Sequence, residues 1–465
     1  MLTIYNSLSK KEEEFRPIQS NKKVGIYTCG PTVYDYVTVG NWRTYTLGDI
    51  VNRVLIWNGF EPTYIMNITD VGHLTGDNEG DADTGVDRME KAKKREGKTA
   101  WDVARFYGDD FQAGYVKLNL TKPEKFTKAT EYIAEQIDLV EKLEQNGLTY
   151  KINDGIYFDT AAYEKSGFTY GELSNLKDIK AGARVEFNKE KRNARDFALW
   201  KFSPKEEKRD MEWDSPWGVG FPGWHIECSA MSMKYLGQQF DLHIGGEDLK
   251  STHHPNEIAQ AQGATGKAPF VKYWLHGAFL QVDGGKMGKS LGNAYNLHDI
   301  ESKGYSPLAL RYFYLTGHYR SPLNFTWESL DAAASALHKL YRHYIELGED
   351  IGEADKGYID RFGKAINNDL NMPQALAVVW ELLKDMDIPD EVKKATLLGI
   401  DKVLGLELGK QKNEPLPQEI ANLVSARDQA RKDKNWLESD RLRDSLSSLG
   451  YEVSDGDTGT TIFKK

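Results

Sequence analysis

Lys286-Met-Gly-Lys289-Ser290 places two ammonium groups three residues apart, after a strand-like run and the Gly284-Gly285 turn. Such a pair on a loop suits phosphate. Positioned cations stabilise the charge that develops on a leaving pyrophosphate, and a loop can close once nucleotide is bound. On its own, a Lys-x-x-Lys pair is ordinary surface. The chain's two cysteines, Cys29 and Cys228, are too far apart for a short zinc-knuckle or redox motif, so they are either inert small hydrophobes or special residues. Cys29 opens a run, Cys29-Gly-Pro-Thr, that interrupts a strand with turn-forming residues.

The elements that position these groups follow from periodicity. Lys23–Thr28 reads as a short buried strand, and Thr63–Thr69 as a second. Between them, Leu47, Ile50, Val51, Val54 and Leu55 fall on one face of a predicted helix, Asn41–Trp57, with Gly59 as its stop. Strand, loop, helix and strand make a βαβ unit whose ligand edge follows the first strand. A second block repeats the pattern: a strand at Gln239–Gly246, a helix start at Pro255–Gln262, and one strand at Val271–Val282. The predicted fold is therefore α/β, a Rossmann-like parallel sheet split by an insertion. Beyond Gly317 the pattern is all-helical. Leu330, Ala333, Ala334, Leu337, Leu340, Tyr341 and Tyr344 trace one face, and Ala375–Leu383 another, as expected of an appended α-helical bundle. The tail, Ala421–Gly450, carries Arg427, Arg431, Lys432, Lys434, Arg441 and Arg443, either a solvated helix face or an RNA contact.

Composition bounds the class. The chain has 465 residues, 60 Lys and Arg against 70 Asp and Glu, and 40% hydrophobic residues, which excludes a disordered or collagen-like protein. With a net charge of -10, any nucleic acid must be held by a local basic face. No apolar stretch approaches the roughly 20 residues needed to span a bilayer and the N-terminus lacks a signal-peptide layout, so a cytoplasmic protein is expected. The acidic run Asp77–Asp87 does not match a calcium-binding register and reads as a solvated loop. Lys91–Lys98 is either a solvated helix or a contact for an RNA end.

With Gly284-Gly285 before it and Leu291-Gly-Asn293 after it, the lysine loop resembles the signature of class I aminoacyl-tRNA synthetases. One family in that class is similar to nearly the whole chain. The cysteinyl-tRNA synthetase pattern is matched at Tyr27-Thr-Cys-Gly-Pro-Thr-Val-Tyr-Asp35, Asn67-Ile-Thr-Asp-Val71, Asp196-Phe-Ala-Leu-Trp-Lys201, Pro222-Gly-Trp-His-Ile-Glu-Cys-Ser-Ala-Met231, His253-His-Pro-Asn-Glu-Ile-Ala-Gln260 and Asn371-Met-Pro-Gln-Ala-Leu376. The resemblance implies ATP-dependent activation of L-cysteine, with Mg²⁺ on the phosphates, and transfer to tRNA(Cys) by a monomer. It implies one zinc ion held by Cys29, Cys228, His253 and Glu257. A substrate thiolate could join those ligands where a serine hydroxyl could not, so no editing domain would be required. Without the resemblance, four scattered donors carry no local spacing signature, and His254 reads as a capping or core histidine.

The resemblance further implies that Trp224 closes the amino-acid pocket and that His243 and Asp248 lie at a glycine-rich strand end near the adenylate. The class's His-x-Gly-His tetrapeptide is here Thr38-Val-Gly-Asn41. Gly40 still permits close approach to ATP, while Thr38 and Asn41 offer hydrogen bonds without charge, which bears on rate and not on fold. Ile244 and Glu247 replace small residues of the family, and Ile462 then Phe463 stand where it has a tryptophan that stacks on an anticodon base. The implied domains are a catalytic domain over 1–120 and 220–317, an insertion over 121–219, a helical bundle over 318–405 and a small anticodon-binding module over 406–465. Two rivals remain: an amino-sugar cysteine ligase of the same fold, and a catalytically weakened paralogue that binds tRNA.

Overall fold

Lys23–Thr28 is the middle strand of a five-stranded parallel sheet, ordered Val271–Gly277, Phe240–Gly246, Lys23–Thr28, Glu61–Ile68 and Lys125–Lys128. The computed structural model describes residues 1–19, 21–72, 87–174, 188–204, 208–288, 291–412, 417–456 and 459–464. Lys289, Ser290 and most of the acidic run at 77–86 lie outside the described residues. The inner strands are apolar on both faces, with Ile26, Tyr27 and Ile244 fully buried, as a sheet covered by helices on both sides requires. Ile244, one of the family departures, is thus a core residue, while Glu247 lies in an exposed turn.

The helix after the first strand runs Val39–Trp57, two residues earlier than its apolar periodicity predicts. The reason is its cap: the Thr38 hydroxyl accepts from the Asn41 amide, ordering a turn that carries little hydrophobic signal. The predicted strand Val271–Val282 is two strands. Val271–Gly277 belongs to the central sheet, whereas Leu280–Val282 pairs in parallel with Leu323–Phe325 and antiparallel with Gly285–Lys286. The break falls at Ala278-Phe279, whose carbonyls are claimed by the Arg43 guanidinium.

A separate antiparallel sheet, Thr149–Ile152, Gly155–Phe158, Phe197–Phe202 and Gly220–Pro222, builds the inserted segment. Its last strand leads directly into the helix Trp224–Leu236. The C-terminal helices include Trp327–Glu346, Lys356–Asn367, Met372–Lys384 and Asp390–Leu404. The first opens with a Thr326/Ser329 capping box and buries Leu330, Ala333, Ala334, Leu337, Leu340 and Tyr344.

One buried ionic knot ties this bundle to the sheet. The Asp49 carboxylate accepts from Arg311 at 2.6 Å, Arg53 at 2.9 Å and the Thr121 amide at 2.7 Å. Arg311, fully buried, also donates to the Leu404 carbonyl at 2.6 Å.

The tail folds as helices Gln418–Lys432 and Trp436–Ser448 and a hairpin of Tyr451–Gly456 with Gly459–Lys464. Arg427, counted above with the basic residues, is buried. The hairpin register sets Ile462 opposite Val453 and Phe463 opposite Glu452, but the side chains of Ile462 and Phe463 lie outside the described residues. Among the described residues, no helix is long and apolar enough to cross a membrane.

Candidate functional site

Three segments converge below the carboxyl edge of the sheet. Cys29 follows the strand Lys23–Thr28, and its amide donates to the Ile244 carbonyl at 3.0 Å, continuing the sheet. Cys228 lies one turn into the helix Trp224–Leu236. His253 and Glu257 share one face of the helix His253–Thr265, which begins two residues before the predicted Pro255. Cys29, Cys228, His253 and Glu257 are all buried, and their donor atoms lie within 4.8 Å of one another. The two sulfurs are 3.9 Å apart, Cys29 Sγ is 3.7 Å from Glu257 Oε1, and His253 Nε2 is 3.0 Å from that same oxygen. Two thiols, an imidazole and a carboxylate form a donor set that could hold a metal ion.

Electrostatics prepare the set. Burial opposes charge on Glu257, but His243 and His253 together hold its carboxyl down at about 2. Burial equally opposes protonation of His253, yet Glu257 and the Cys228 sulfur raise it to about 10. Burial pushes the Cys29 thiol well above its ordinary value. At Cys228 burial acts the same way, but the hydrogen bond from Cys29 and the neighbouring His253 outweigh it and lower the thiol. A metal would displace the protons that Cys29 and His253 keep in its absence.

The structure places the other predicted residues unevenly. Trp224 is half-buried and lies against His253, ring centroids 4.4 Å apart. His243, read as a nucleotide-side residue, is fully buried with Nε2 2.9 Å from Glu257 Oε2, so it supports the metal set from behind. Asp248 lies in the turn Glu247–Lys250, where burial pushes its carboxyl up and the neighbouring His253 charge opposes that. His254 belongs to the site after all: Nε2 is 3.5 Å from Cys29 Sγ, and Nδ1 is 2.8 Å from His276. With Cys29, His243 and Glu257 it forms a second group of four clustered donors.

Two histidines escaped sequence reasoning. His225 Nδ1 lies 2.9 Å from His253 Nδ1, which leaves the His253 Nε2 facing the sulfurs. Its spacing of three from Cys228 on one helix was a usable signal. His276 reaches the site only through the pairing of Gly245 with His276 across two strands, which no local pattern reveals.

The Thr38–Asn41 turn meets the lysine turn at Gly40. A methyl group there would overlap Met287 Cε, so the glycine lets the lysine turn sit against the helix N-terminus. The Val39 amide donates to the Tyr295 carbonyl at 2.8 Å, closing the same seam. Thr38 Oγ1 donates to Asn41 Oδ1 at 2.7 Å, so both polar groups are spent on each other in this structure. Lys286 is exposed, and Lys289 lies outside the described residues.

Gly30 is equally constrained. Its amide donates to Asn67 Oδ1 at 2.8 Å, and a Cβ would overlap the Asn67 carbonyl oxygen. Gly30→Ala must push the Cys29 turn off the neighbouring strand, at a cost of about 1–3 kcal/mol, and lower metal retention with it. Denaturant titration alongside metal analysis checks this; unchanged values in both would remove the constraint.

A family model described as the tRNA synthetases class I (C) catalytic domain matches residues 15–335, and one described as the cysteinyl-tRNA ligase anticodon binding domain matches residues 413–462. A cysteine–tRNA ligase 1 of Burkholderia lata is 46% identical, covering 99% of this chain and 97% of that protein. The chain belongs to the cysteinyl-tRNA synthetase family. A cysteine–tRNA ligase of Treponema denticola is 42% identical over 100% of this chain and 99% of its own. A Mycobacterium tuberculosis methionyl-tRNA synthetase is 14% identical, with a TM-score of 0.56 over 83% of this chain and 90% of its own, a likeness of fold. The parallel sheet with an appended helical part and a terminal module is the architecture the class I resemblance implied.

Proposed function

We propose that the protein activates L-cysteine with ATP and transfers it to tRNA(Cys), and that Cys29, Cys228, His253 and Glu257 seat one zinc ion per chain. The observation that carries the metal reading is the gathering of two thiols, an imidazole and a carboxylate from three distant segments into one buried cluster. The donors fit zinc: sulfurs at about 2.3 Å from a tetrahedral ion lie close to 3.8 Å apart, near the 3.9 Å between Cys29 and Cys228. When bound, zinc would accept a cysteine thiolate as a further ligand, which a serine hydroxyl would not supply.

The chain's own groups supply the rest. Trp224, against His253, walls the amino-acid side. Gly40, Thr38 and Asn41 border the nucleotide, and binding ATP would exchange the Thr38–Asn41 hydrogen bond for bonds to phosphate or ribose. The cysteine carboxylate attacks the α-phosphorus, and pyrophosphate leaves with Lys286, Lys289 and Mg²⁺ stabilising its charge. The adenylate, with Asp248 on its flank, then yields its cysteinyl group to a terminal ribose hydroxyl of the tRNA, while His243 holds Glu257 from behind. No residue has to act as a strong general base.

Residues 1–120 and 220–317 would form the catalytic domain around the insertion 121–219, with the bundle at 318–405 and the anticodon module at 406–465. The match of residues 413–462 to an anticodon-binding model supports tRNA over an amino sugar as acceptor. We place the enzyme in the cytoplasm as a monomer.

Cysteine-dependent ATP–pyrophosphate exchange, followed by cysteinylation of tRNA(Cys) before and after chelation, tests the whole reading. Both activities are expected, and both should fall on chelation and return with zinc. Exchange without transfer to tRNA would favour the amino-sugar rival. Neither activity, with tRNA still bound, would leave a binding paralogue, the rival prompted by uncharged Thr38 and Asn41.

A further inference from the structure

Arg43 lies in the second turn of the helix that Thr38 caps, and its guanidinium is buried. It makes an unusual set of bonds. Nη1 donates to the carbonyls of Ala278 at 2.8 Å and Phe279 at 3.0 Å, while Nη2 donates to those of His318 at 3.1 Å and Ser321 at 2.6 Å. Among the described residues no carboxylate lies within ion-pair distance of it. The contrast with Arg53 and Arg311 is plain, since both of those close on Asp49.

The four carbonyls belong to two segments that lead into the lysine turn and into the helical bundle. Ala278-Phe279 begins the run Leu280–Val282, which turns through Gly285–Lys286 into the lysine loop. His318–Ser321 precedes Leu323–Phe325, which feeds the bundle helix Trp327–Glu346. The two segments are zipped to each other: the Ala278 amide donates to Tyr319 O at 2.8 Å, and Leu280, Gln281 and Val282 pair with Leu323, Asn324 and Phe325. Arg43 therefore binds the junction of lysine turn and bundle onto the helix that starts at Thr38. A flat, forked cation with five donors can hold four carbonyls in fixed directions, whereas a lysine offers one rotating point charge.

We propose that Arg43 is a positioning residue that sets the register of the lysine turn against the nucleotide loop, and links that register to the helical bundle. The proposal rests on the cysteine-activating reading above. It predicts loss in the step where pyrophosphate leaves and not in the seating of cysteine, because none of the four carbonyls belongs to the metal cluster.

The test uses the full-length zinc-loaded protein with Arg43→Gln and Arg43→Lys. For Arg43→Gln, kcat of cysteine-dependent exchange should fall at least about tenfold while KM for cysteine stays within about twofold, the split expected when an interaction made only in the transition state is lost. Arg43→Lys should recover less than half of that loss. Amide hydrogen exchange should quicken at 278–286 and 317–325 while the helix His253–Thr265 keeps its protection. If Arg43→Gln does not fold, Arg43→Lys carries the same comparison. A folded variant with wild-type kcat, a parallel change in kcat and KM for cysteine, or unaltered amide exchange at 278–286 overturns the proposal. Wild-type protein without cysteine-dependent exchange would fault the functional reading instead, and the amide-exchange comparison would still judge Arg43.

Discussion

Cys228→Ser is expected to retain less than about a tenth of the bound zinc and to lose cysteine-dependent exchange by at least roughly a hundredfold, since even the outer partners of metal ligands are worth about 10–100-fold. The fold should survive. Cys228 sits in a buried cluster of polar donors, its sulfur 3.9 Å from Cys29 Sγ, and serine is nearly its size. The residue it leaves behind matters more. Glu257, held at about 2 by His243 and His253, stays charged with or without Cys228, so the pocket keeps its polar order. A Tm within about 2 °C of wild type corresponds to roughly 2 kcal/mol for a chain of 465 residues. Metal analysis, exchange kinetics and calorimetry check these three values. Full activity with full zinc in the variant would remove Cys228 from the set, and outright unfolding would make the cluster a structural staple.

Arg311→Leu should be the most destabilising single change in the scaffold, by about 3–5 kcal/mol, because it strands a buried carboxylate. Asp49 is fully buried and accepts from Arg311, Arg53 and the Thr121 amide. Burial alone would raise its carboxyl, but Arg311 and Arg53 more than offset this and hold it below the ordinary range. Its folded value is therefore depressed. The knot contributes its stability above the unfolded-state value near 3.9 and loses it as pH falls through the folded value. Asp49→Asn should thus flatten the acid limb of the stability curve, while Arg311→Leu lowers the curve at neutral pH. Urea titrations give the answer as a shift in midpoint at constant slope. A change below about 1 kcal/mol for Arg311→Leu would mean that Arg53 alone satisfies the carboxylate.

Much of the scaffold was legible because its signals are local. The strand Lys23–Thr28 and the apolar stripe Leu47, Ile50, Val51, Val54 and Leu55 follow from periodicity, and the bundle face from Leu330 to Tyr344 repeats the same logic. The helix starts were missed by two residues at Val39 and at His253, since caps and first turns carry polar residues that periodicity does not count. The broken strand at Ala278-Phe279 was illegible: the guanidinium that takes its carbonyls, Arg43, is 235 residues away in sequence.

The site divides in the same way. Cys29, Cys228, His253 and Glu257 have no common spacing, so composition and periodicity left the cysteines undecided, and only the resemblance named the set. His243 could be placed beside the site but not behind Glu257, because that placement depends on strand pairing with Lys23–Thr28 and on the packing of the helix His253–Thr265. The uncharged pair Thr38 and Asn41 was visible at once, yet their mutual hydrogen bond required the three-dimensional turn.

X-ray absorption at the zinc edge, on fully loaded protein with and without L-cysteine, bears most directly on sulfur recognition by the Cys29–Cys228–His253–Glu257 cluster. The account predicts two sulfur neighbours in the free protein, three when cysteine is added, and two when serine is added instead. A sulfur count that ignores cysteine, in protein that still activates it, would contradict it.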